Sequence, residues 1–259
     1  MEKPATLGYA PVNGLQMYYE IYGEGDIPLV LIHGGGSTIE STWANMLPLF
    51  AEHNQVIAIE LQAHGRTSDR NAPESFEQDA DDVAALINYL GIAKANFFGF
   101  SNGGTTTLQL AIRHANLVNK IIDLAGAYSK NGFFEGFFDG FAGATLDSMP
   151  TPLKEDFLRV TPDKDLLLNM FHKDVERMKG FRDIPEDDIR TINASSLIMV
   201  NDRDVMPVEH AAKLSRLIPG GSLAVFPGIH GECIGEVCAP KRGEKTLAAT
   251  AALVEEFLN

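Results

Sequence analysis

A serine flanked by glycines is the strongest chemical signal in this chain. Ser101 is the centre of Gly-Phe-Ser-Asn-Gly at residues 99–103, between an apolar run at 94–98 and a helix-like segment at 104–114. A serine at such a strand-to-helix turn is held in strained backbone geometry, with its hydroxyl exposed at the helix N-terminus. Small flanking residues are required because a Cβ there would collide with the neighbouring strand or helix. We therefore predict that Ser101 is a nucleophile.

A nucleophilic serine needs a general base, and His230 is the best-placed of the seven histidines. It lies between small residues in a loop directly after the last predicted strand, so it has the freedom to reach the serine. His33 follows an early strand, where a structural hydrogen bond is expected, and His64 precedes the serine in the chain. The other four fall on predicted helices or their ends. We assign the base to His230.

The base in turn needs an acid to orient it, and two aspartates compete for this role. Asp202 and Asp204 both follow the predicted strand that ends at Val200. Asp204 is preferred because it lies further beyond the strand end and just before the next helix. Asp123, inside an earlier predicted strand, is a third candidate. The predicted catalytic order along the chain is therefore serine, Asp204, histidine.

Backbone donors for a developing oxyanion are expected from two places. The sequence His-Gly-Gly-Gly-Ser at residues 33–37 follows a buried strand, and its glycines leave N–H groups free to face a substrate oxygen. We predict Gly35 as one donor, with Gly34 as the alternative, and Asn102, the residue after the nucleophile, as the other. Each donor is worth about 3 kcal/mol to the barrier.

The surrounding elements alternate between strand and helix. Strands are predicted at residues 7–12, 15–22, 28–32, 55–59, 94–98, 119–124, 196–200 and 222–226, and helices at 42–53, 75–90, 104–114, 207–217 and 245–258. Repeated β-α-β units indicate an α/β fold with a mostly parallel central sheet and helices on both faces. Asn13-Gly14 is a strong hairpin signal, which predicts an antiparallel edge at the N-terminal end.

Residues 129–190 interrupt this alternation and contain no convincing strand. We interpret them as a small helical cap inserted before the last two strands, with residues 1–128 and 191–259 forming the core domain. Thr161-Pro162-Asp163 predicts the start of a helix, and Gly180 predicts its end.

Five phenylalanines in this cap recur at helical spacing and predict one face of a helix; they are Phe133, Phe134, Phe137, Phe138 and Phe141. Three glycines form a second stripe that would allow another backbone to approach closely; they are Gly132, Gly136 and Gly140. Part of the phenylalanine face is expected to wall an apolar acyl pocket, the alternative being that it only holds the cap in place. We assign substrate binding to Gly34, Phe100, Phe137 and Phe138.

The composition of the chain limits which partners and which location are expected. Of the 259 residues 45% are hydrophobic, which suffices for a large core, and the formal net charge is −14. This charge argues against nucleic acid and anionic membrane as partners. No apolar leader is evident, so the expected location is the cytoplasm. Cys233 and Cys238 have no metal-ligand partners at suitable spacing, so free thiols are favoured and no metal is expected.

Taken together, these motifs resemble the α/β-hydrolase family over nearly the full length of the chain. They are His-Gly-Gly-Gly at 33–36, Glu-Leu-Gln-Ala-His-Gly-Arg-Thr-Ser at 60–68, the serine turn, Asp-Arg-Asp at 202–204 and Gly-Ile-His-Gly at 228–231. The sequence differs from the pattern of this family in two places. Glu60 occupies a position where many relatives have aspartate. The stretch from Glu232 to Gly243 is longer than usual, and it is expected to reshape the pocket mouth or to serve a contact within a homodimer.

The resemblance implies a serine hydrolase that needs no cofactor, with a small-molecule, ester-like substrate. Cleavage of carboxylic esters with small or medium acyl groups is the first expectation. The alternatives are lactone, thioester or carbon–carbon bond hydrolysis on the same triad, and a non-catalytic ligand-binding protein that retains the fold. A serine argues against dehalogenase and epoxide-hydrolase relatives, which use an aspartate at this turn.

Overall fold

One eight-stranded sheet forms the centre of the computed structural model, which describes residues 4–241 and 243–259. The strands are β1 (Thr6–Val12), β2 (Leu15–Tyr22), β3 (Leu29–Ile32), β4 (Val56–Ile59), β5 (Ala95–Phe100), β6 (Val118–Leu124), β7 (Ser195–Arg203) and β8 (Gly221–Ile229). Their spatial order is β1-β2-β4-β3-β5-β6-β7-β8. β2 runs antiparallel to β1 and β4, and the pairs from β3 to β8 are parallel. The predicted sheet with an antiparallel N-terminal edge is confirmed.

The hairpin between β1 and β2 follows from its two turn residues. Asn13 and Gly14 have φ angles of 46° and 82°, and Val12 pairs with Leu15 across the turn. Two consecutive left-handed residues match the right-handed twist of the flanking strands, and asparagine followed by glycine adopts them most readily.

Helices cover both faces of the sheet. They are α1 (Ile39–Trp43), α2 (Leu47–Ala51), α3 (Phe76–Tyr89), α4 (Asn102–Arg113), α5 (Thr151–Val160), α6 (Lys164–Lys179), α7 (Glu186–Ile189), α8 (Val208–Leu217) and α9 (Glu244–Leu258). α3, α4 and α8 pack on one face with Phe97, and α1, α2 and α9 pack on the other with Phe98. Neighbouring residues of a strand therefore enter opposite layers of the core, which explains the continuous apolar runs. Among the described helices, none has the length and apolar character needed to cross a membrane.

The single helix predicted at residues 42–53 is wrong, because the structure has two short helices there. The first begins earlier, after Thr38, whose side chain accepts a hydrogen bond from the Ser41 N–H. The second carries Pro48 in its first turn. Proline has no N–H to donate and its ring clashes with the preceding turn, so it ends one helix and starts another.

Between β6 and β7 the chain forms α5, α6, α7 and short 3-10 turns. α6 begins after Asp163, whose carboxylate accepts hydrogen bonds from the N–H groups of Asp165 and Leu166, and it ends at Gly180. The helix predicted from these capping signals is confirmed. The division of the chain into a core and a cap remains a prediction.

The helix predicted through the five phenylalanines is wrong. This segment contains only 3-10 turns, at Lys130–Gly132 and Phe137–Phe141, and Gly136 between them has a left-handed φ of 80°. Each glycine lowers helix stability by about 1 kcal/mol relative to alanine, so the segment has little tendency to form an α-helix. The rings nevertheless pack together, with Phe133 stacked on Phe137 at 4.4 Å.

The glycine stripe does not receive another backbone as expected. A Cβ on Gly132 would lie 2.4 Å from the His210 ring, which is a side chain, and Gly140 has no described atom within 4 Å of that position. Residues four apart share a face only in an α-helix, and this segment is not an α-helix, so the three glycines do not form a stripe.

Candidate active site

Ser101 lies at the sharp turn between β5 and α4, with φ 56° and ψ −119°. Few residues adopt this conformation, and it turns the side chain away from both elements. The flanking glycines are required by contact. A Cβ on Gly99 would lie 2.0 Å from the Gly103 carbonyl oxygen, and one on Gly103 would lie 2.4 Å from the Ile32 carbonyl oxygen.

His230 lies between Ser101 and Asp204. Its Nε2 is 3.0 Å from the Ser101 Oγ, and its Nδ1 is 2.5 Å from the Asp204 Oδ1. The carboxylate can only accept, so Nδ1 carries the proton and Nε2 is free to accept from the serine hydroxyl. The Asp204 side chain is fully buried, and it also accepts hydrogen bonds from the backbone N–H groups of Asn201 and Val205. The three side chains form one hydrogen-bonded chain.

The two other candidate acids have different partners. The Asp202 carboxylate is half exposed and accepts a hydrogen bond from the Gly228 N–H at 2.8 Å. Asp123 is fully buried and accepts from the Gly126 N–H at 2.7 Å, and burial raises its pKa well above the usual range. Asp204 is thus the candidate that the structure brings to His230.

His33 and His64 are both fully buried, and their rings have different hydrogen-bond partners. The Nδ1 of His33 faces the Gly34 carbonyl oxygen, and its Nε2 accepts from the Leu61 N–H, so this ring is neutral. Burial lowers the pKa of His33 to about 3. As expected from sequence, His33 makes structural hydrogen bonds.

Gly35 and Asn102 lie beside the serine with unused backbone donors. Within the described residues no acceptor takes the N–H of either one. The loop packs tightly here, because a Cβ on Gly35 would lie 2.5 Å from the Asn102 Nδ2. Both residues line the same cavity as Ser101. The N–H of Gly34, the alternative donor, also has no acceptor among the described residues, but Gly34 is not among the residues that line the cavity.

This cavity has a volume of about 360 Å³, and its far wall is apolar. Of the four residues assigned to substrate binding, Phe137 lines it, whereas Gly34, Phe100 and Phe138 are not among the lining residues. Phe100 packs on the His230 ring at 4.6 Å, and Phe138 packs on Phe181. Phe141, from the same predicted phenylalanine face, also lines it. The rest of the apolar wall was missed from sequence; it includes Met149, Leu153, Met170, Phe171 and Val175.

Asp174 is the one ionisable side chain among the described residues that line this cavity, and sequence reasoning missed it. It lies on α6 and accepts hydrogen bonds from the Gly36 N–H and from His64. No sequence signal marks it, because an aspartate in the middle of a polar helix usually faces solvent.

Glu60 fits its turn through backbone and side-chain donors. It is fully buried, accepts from the Arg66 N–H at 2.6 Å, and pairs with the Arg66 guanidinium at 2.7 Å. A Cβ on Gly65 would lie 2.4 Å from its carboxyl group, so the longer acid depends on that glycine.

Part of the long stretch after His230 packs into the core. Cys233 and Ile234 are buried there, and both cysteines are free. Arg242 lies outside the described residues, and the expected role at a pocket mouth or subunit contact remains a prediction.

This sheet, with a serine at the turn after its fifth strand, has the architecture of an α/β hydrolase. The sequence matches the family model for the alpha/beta hydrolase fold over residues 27–186, more than half of the chain. The chain belongs to the α/β-hydrolase family.

Similar proteins include several hydrolases. The chain is 26% identical over 236 residues to serine hydrolase BPHL of Homo sapiens, covering 86% of this chain and 79% of the relative. It is 32% identical over 126 residues to a 2-hydroxy-6-oxo-6-(2'-aminophenyl)hexa-2,4-dienoic acid hydrolase of Metapseudomonas resinovorans, covering 46% and 42%. The chain spans about half the length of the first curated relatives it matches. A solved serine hydrolase involved in carbazole degradation shares the fold, with a TM-score of 0.79, 22% identity and 98% of each chain covered.

Proposed function

We propose that this protein is a serine hydrolase that cleaves carboxylic esters of small or medium acyl groups. The observation that carries the proposal is the hydrogen-bonded chain from Ser101 through His230 to the buried Asp204. Its geometry meets the requirement for nucleophilic catalysis, in which the base lies within hydrogen-bond reach of the nucleophile and is itself oriented by a third group.

In the proposed reaction, the Ser101 Oγ bonds to the carbonyl carbon as its proton passes to the His230 Nε2. The carbonyl electron pair moves onto oxygen, and the N–H groups of Gly35 and Asn102 stabilise the oxyanion. Asp204 stabilises the imidazolium. When the intermediate collapses, the bond to the alkoxide breaks and His230 returns the proton to it. Water then cleaves the acyl-serine by the same steps and releases the acid.

The cavity supports the choice of acyl group. Its volume of about 360 Å³ is near the lower end for small-molecule pockets, and Phe137 and its neighbours present apolar surface. Each methylene buried there contributes about 0.8 kcal/mol, so affinity should rise with chain length until the cavity is full.

A second candidate substrate class is an oxo acid. The relative from Metapseudomonas resinovorans is named as a hydrolase of a 6-oxo dienoic acid. The same serine would attack the oxo carbon, the carbon–carbon bond would break in place of the ester bond, and the leaving carbon would take the proton from His230.

The test combines a substrate panel with an active-site probe. We expect p-nitrophenyl esters from acetate to decanoate to be hydrolysed, with a maximum at short or medium length, and a fluorophosphonate to label Ser101. The panel also contains lactones and a 6-oxo dienoic acid, and faster turnover of either would replace the ester assignment. Absence of both labelling and turnover would favour the ligand-binding alternative.

A further inference from the structure

A carboxylate from α6 holds the loop that carries the proposed oxyanion donor. The Gly36 N–H donates a hydrogen bond of 2.5 Å to the Asp174 Oδ2, across 138 residues of sequence. Gly36 has a left-handed φ of 67°, so this contact fixes a backbone turn that glycine alone would leave loose. Because Gly36 directly follows Gly35, fixing its peptide also restricts where the Gly35 N–H points.

The Asp174 carboxylate is itself held by two cations. The Arg177 guanidinium donates to its Oδ1, and the His64 Nε2 lies 3.0 Å from its Oδ2. His64 is fully buried, the Arg177 side chain is 2% exposed and the Asp174 side chain is 13% exposed, so water screens these contacts only weakly. Three donors on one carboxylate define its position closely.

The partners of His64 require it to be an imidazolium. Its Nε2 faces the Asp174 carboxylate, and its Nδ1 faces the Gln62 carbonyl oxygen at 2.8 Å. The Gln62 carbonyl oxygen can only accept a hydrogen bond. The Asp174 carboxylate, ionised beside Arg177 and the Gly36 N–H, can also only accept, so both ring nitrogens carry a proton. His33, whose ring centre is 4.8 Å away, differs because its Nε2 faces a donor.

The charges around this pair support the same state. Burial disfavours a charged His64 ring, but the Asp174 carboxylate outweighs it and raises the pKa of His64 to about 9. Burial likewise opposes ionisation of Asp174, but Arg177 and then His64 hold its pKa well below the usual range. Glu74 and Asp79 also face Arg177, at 3.6 and 2.7 Å, so the cluster carries acids on several elements.

We propose that Asp174 is a positioning residue for the hydrolysis proposed above. A buried His64 imidazolium and Arg177 keep its carboxylate ionised, and it orients the oxyanion loop, residues 33–37, through the Gly36 N–H. This rests on the proposed function. The donor that stabilises the transition state is therefore aligned by the helical segment between β6 and β7, in addition to the sheet.

The first test is nuclear magnetic resonance of the ¹⁵N-labelled wild-type chain between pH 6 and 10. We expect both ring nitrogens of His64 to be protonated at pH 7 and to titrate near pH 9, whereas His33 shows one protonated and one bare nitrogen. A neutral His64 at pH 7 would overturn the proposal. This measurement needs neither activity nor a variant, so a neutral His64 would refute the proposal even where a variant does not fold.

The second test compares Asp174→Asn with Asp69→Asn. Asp69 is a matched control because it also accepts from α6, through Asn169 and Lys173, and has no contact with the oxyanion loop among its hydrogen bonds in the described chain. For Asp174→Asn we expect kcat to fall about 10- to 100-fold, less than the 10²- to 10³-fold effect of deleting an oxyanion donor, with KM within about threefold. An alkyl boronic acid, which forms a tetrahedral adduct on Ser101, should bind more weakly by the same factor.

Equal kinetics in the two variants, or a change in KM alone, would refute the positioning role. The proposed function fails in a different way, through a wild-type chain that neither turns over esters nor reacts with the fluorophosphonate. An active wild-type enzyme with a neutral His64 would remove only the positioning proposal.

Discussion

The Oγ of Ser101 lies 3.0 Å from the Nε2 of His230, although 129 residues separate the two in the chain. The serine follows β5 and the histidine follows β8, and the strands between them are parallel. Parallel strands present their carboxyl ends at one edge of the sheet, so loops that are distant in sequence meet there. The predictions below depend on this arrangement.

Ser101→Ala should abolish ester turnover without unfolding the chain. Loss of the nucleophile typically lowers kcat by about 10⁶-fold, because the base and acid then have nothing to activate. Steady-state kinetics with a p-nitrophenyl ester measures the effect, and circular dichroism checks the fold. Ser215→Ala is the matched control, since within the described part of the chain its hydroxyl bonds to the Ala212 carbonyl oxygen of the same helix, α8, and to nothing else. Turnover retained by the alanine variant at 101 would refute the nucleophile assignment.

Asp204→Asn and Asp202→Asn form a pair that separates the two candidate acids. An amide at 204 would favour the wrong tautomer of His230, and kcat should fall by about 10⁴-fold. The same change at 202 keeps an oxygen that can accept from the Gly228 N–H and removes only the charge that faces Arg203, so kcat should stay within about threefold. If the larger loss occurs at 202 instead, the orienting acid is misassigned.

Folding stability should fall between pH 7 and 9 because of His64. Its pKa is raised from 6.5 to about 9, so over this range the folded state binds a proton that the unfolded state has released. The stabilisation is complete below pH 6.5 and is lost as pH rises through 9, and it amounts to roughly 3 kcal/mol at most. Burial also raises the pKa of Glu60 and Glu74 from 4.5 to about 7. The stability that their ionisation removes is therefore lost mainly between pH 4.5 and 7, below the range in which His64 acts.

Denaturant unfolding of wild type and His64→Gln measures this difference. The variant should lose most of the slope above pH 7, whereas the exposed control His172→Gln should keep it. A slope that is the same in all three proteins would contradict a charged His64.

Phe137→Ala should move the acyl-chain optimum to longer esters. Phe137 lines the cavity, so its truncation makes room for additional methylenes worth about 0.8 kcal/mol each. Phe138→Ala is the control, because this ring is not among the lining residues. It packs on Phe137 and Phe141, so its truncation should shift the optimum less than truncation at 137. Values of kcat/KM across the ester series give the result. An optimum that shifts in the control and not at 137 would mean that the acyl group binds elsewhere.

Local signals were sufficient for much of the fold. The hairpin, the sheet and α6 could be predicted because their signals each act within a few residues. These signals are Asn13-Gly14, the apolar strands and the helix start at Thr161-Pro162-Asp163. The failures came where a proline or a glycine interrupts an otherwise helical pattern. Pro48 divided a helix that looked continuous, and Gly136 adopts a left-handed turn within an apparently helical phenylalanine pattern.

The sequence by itself determined the chemistry available: a serine between obligatory glycines, a glycine loop, and acid and histidine loops after later strands. Only the tertiary structure showed that Asp204 and not Asp202 contacts His230, which residues form the cavity wall, and that Asp174 contacts Gly36 and His64. The reason is physical. A turn or the start of a helix is determined by a few adjacent residues. A contact across 138 residues depends on how the helical segment between β6 and β7 packs against the edge of the sheet.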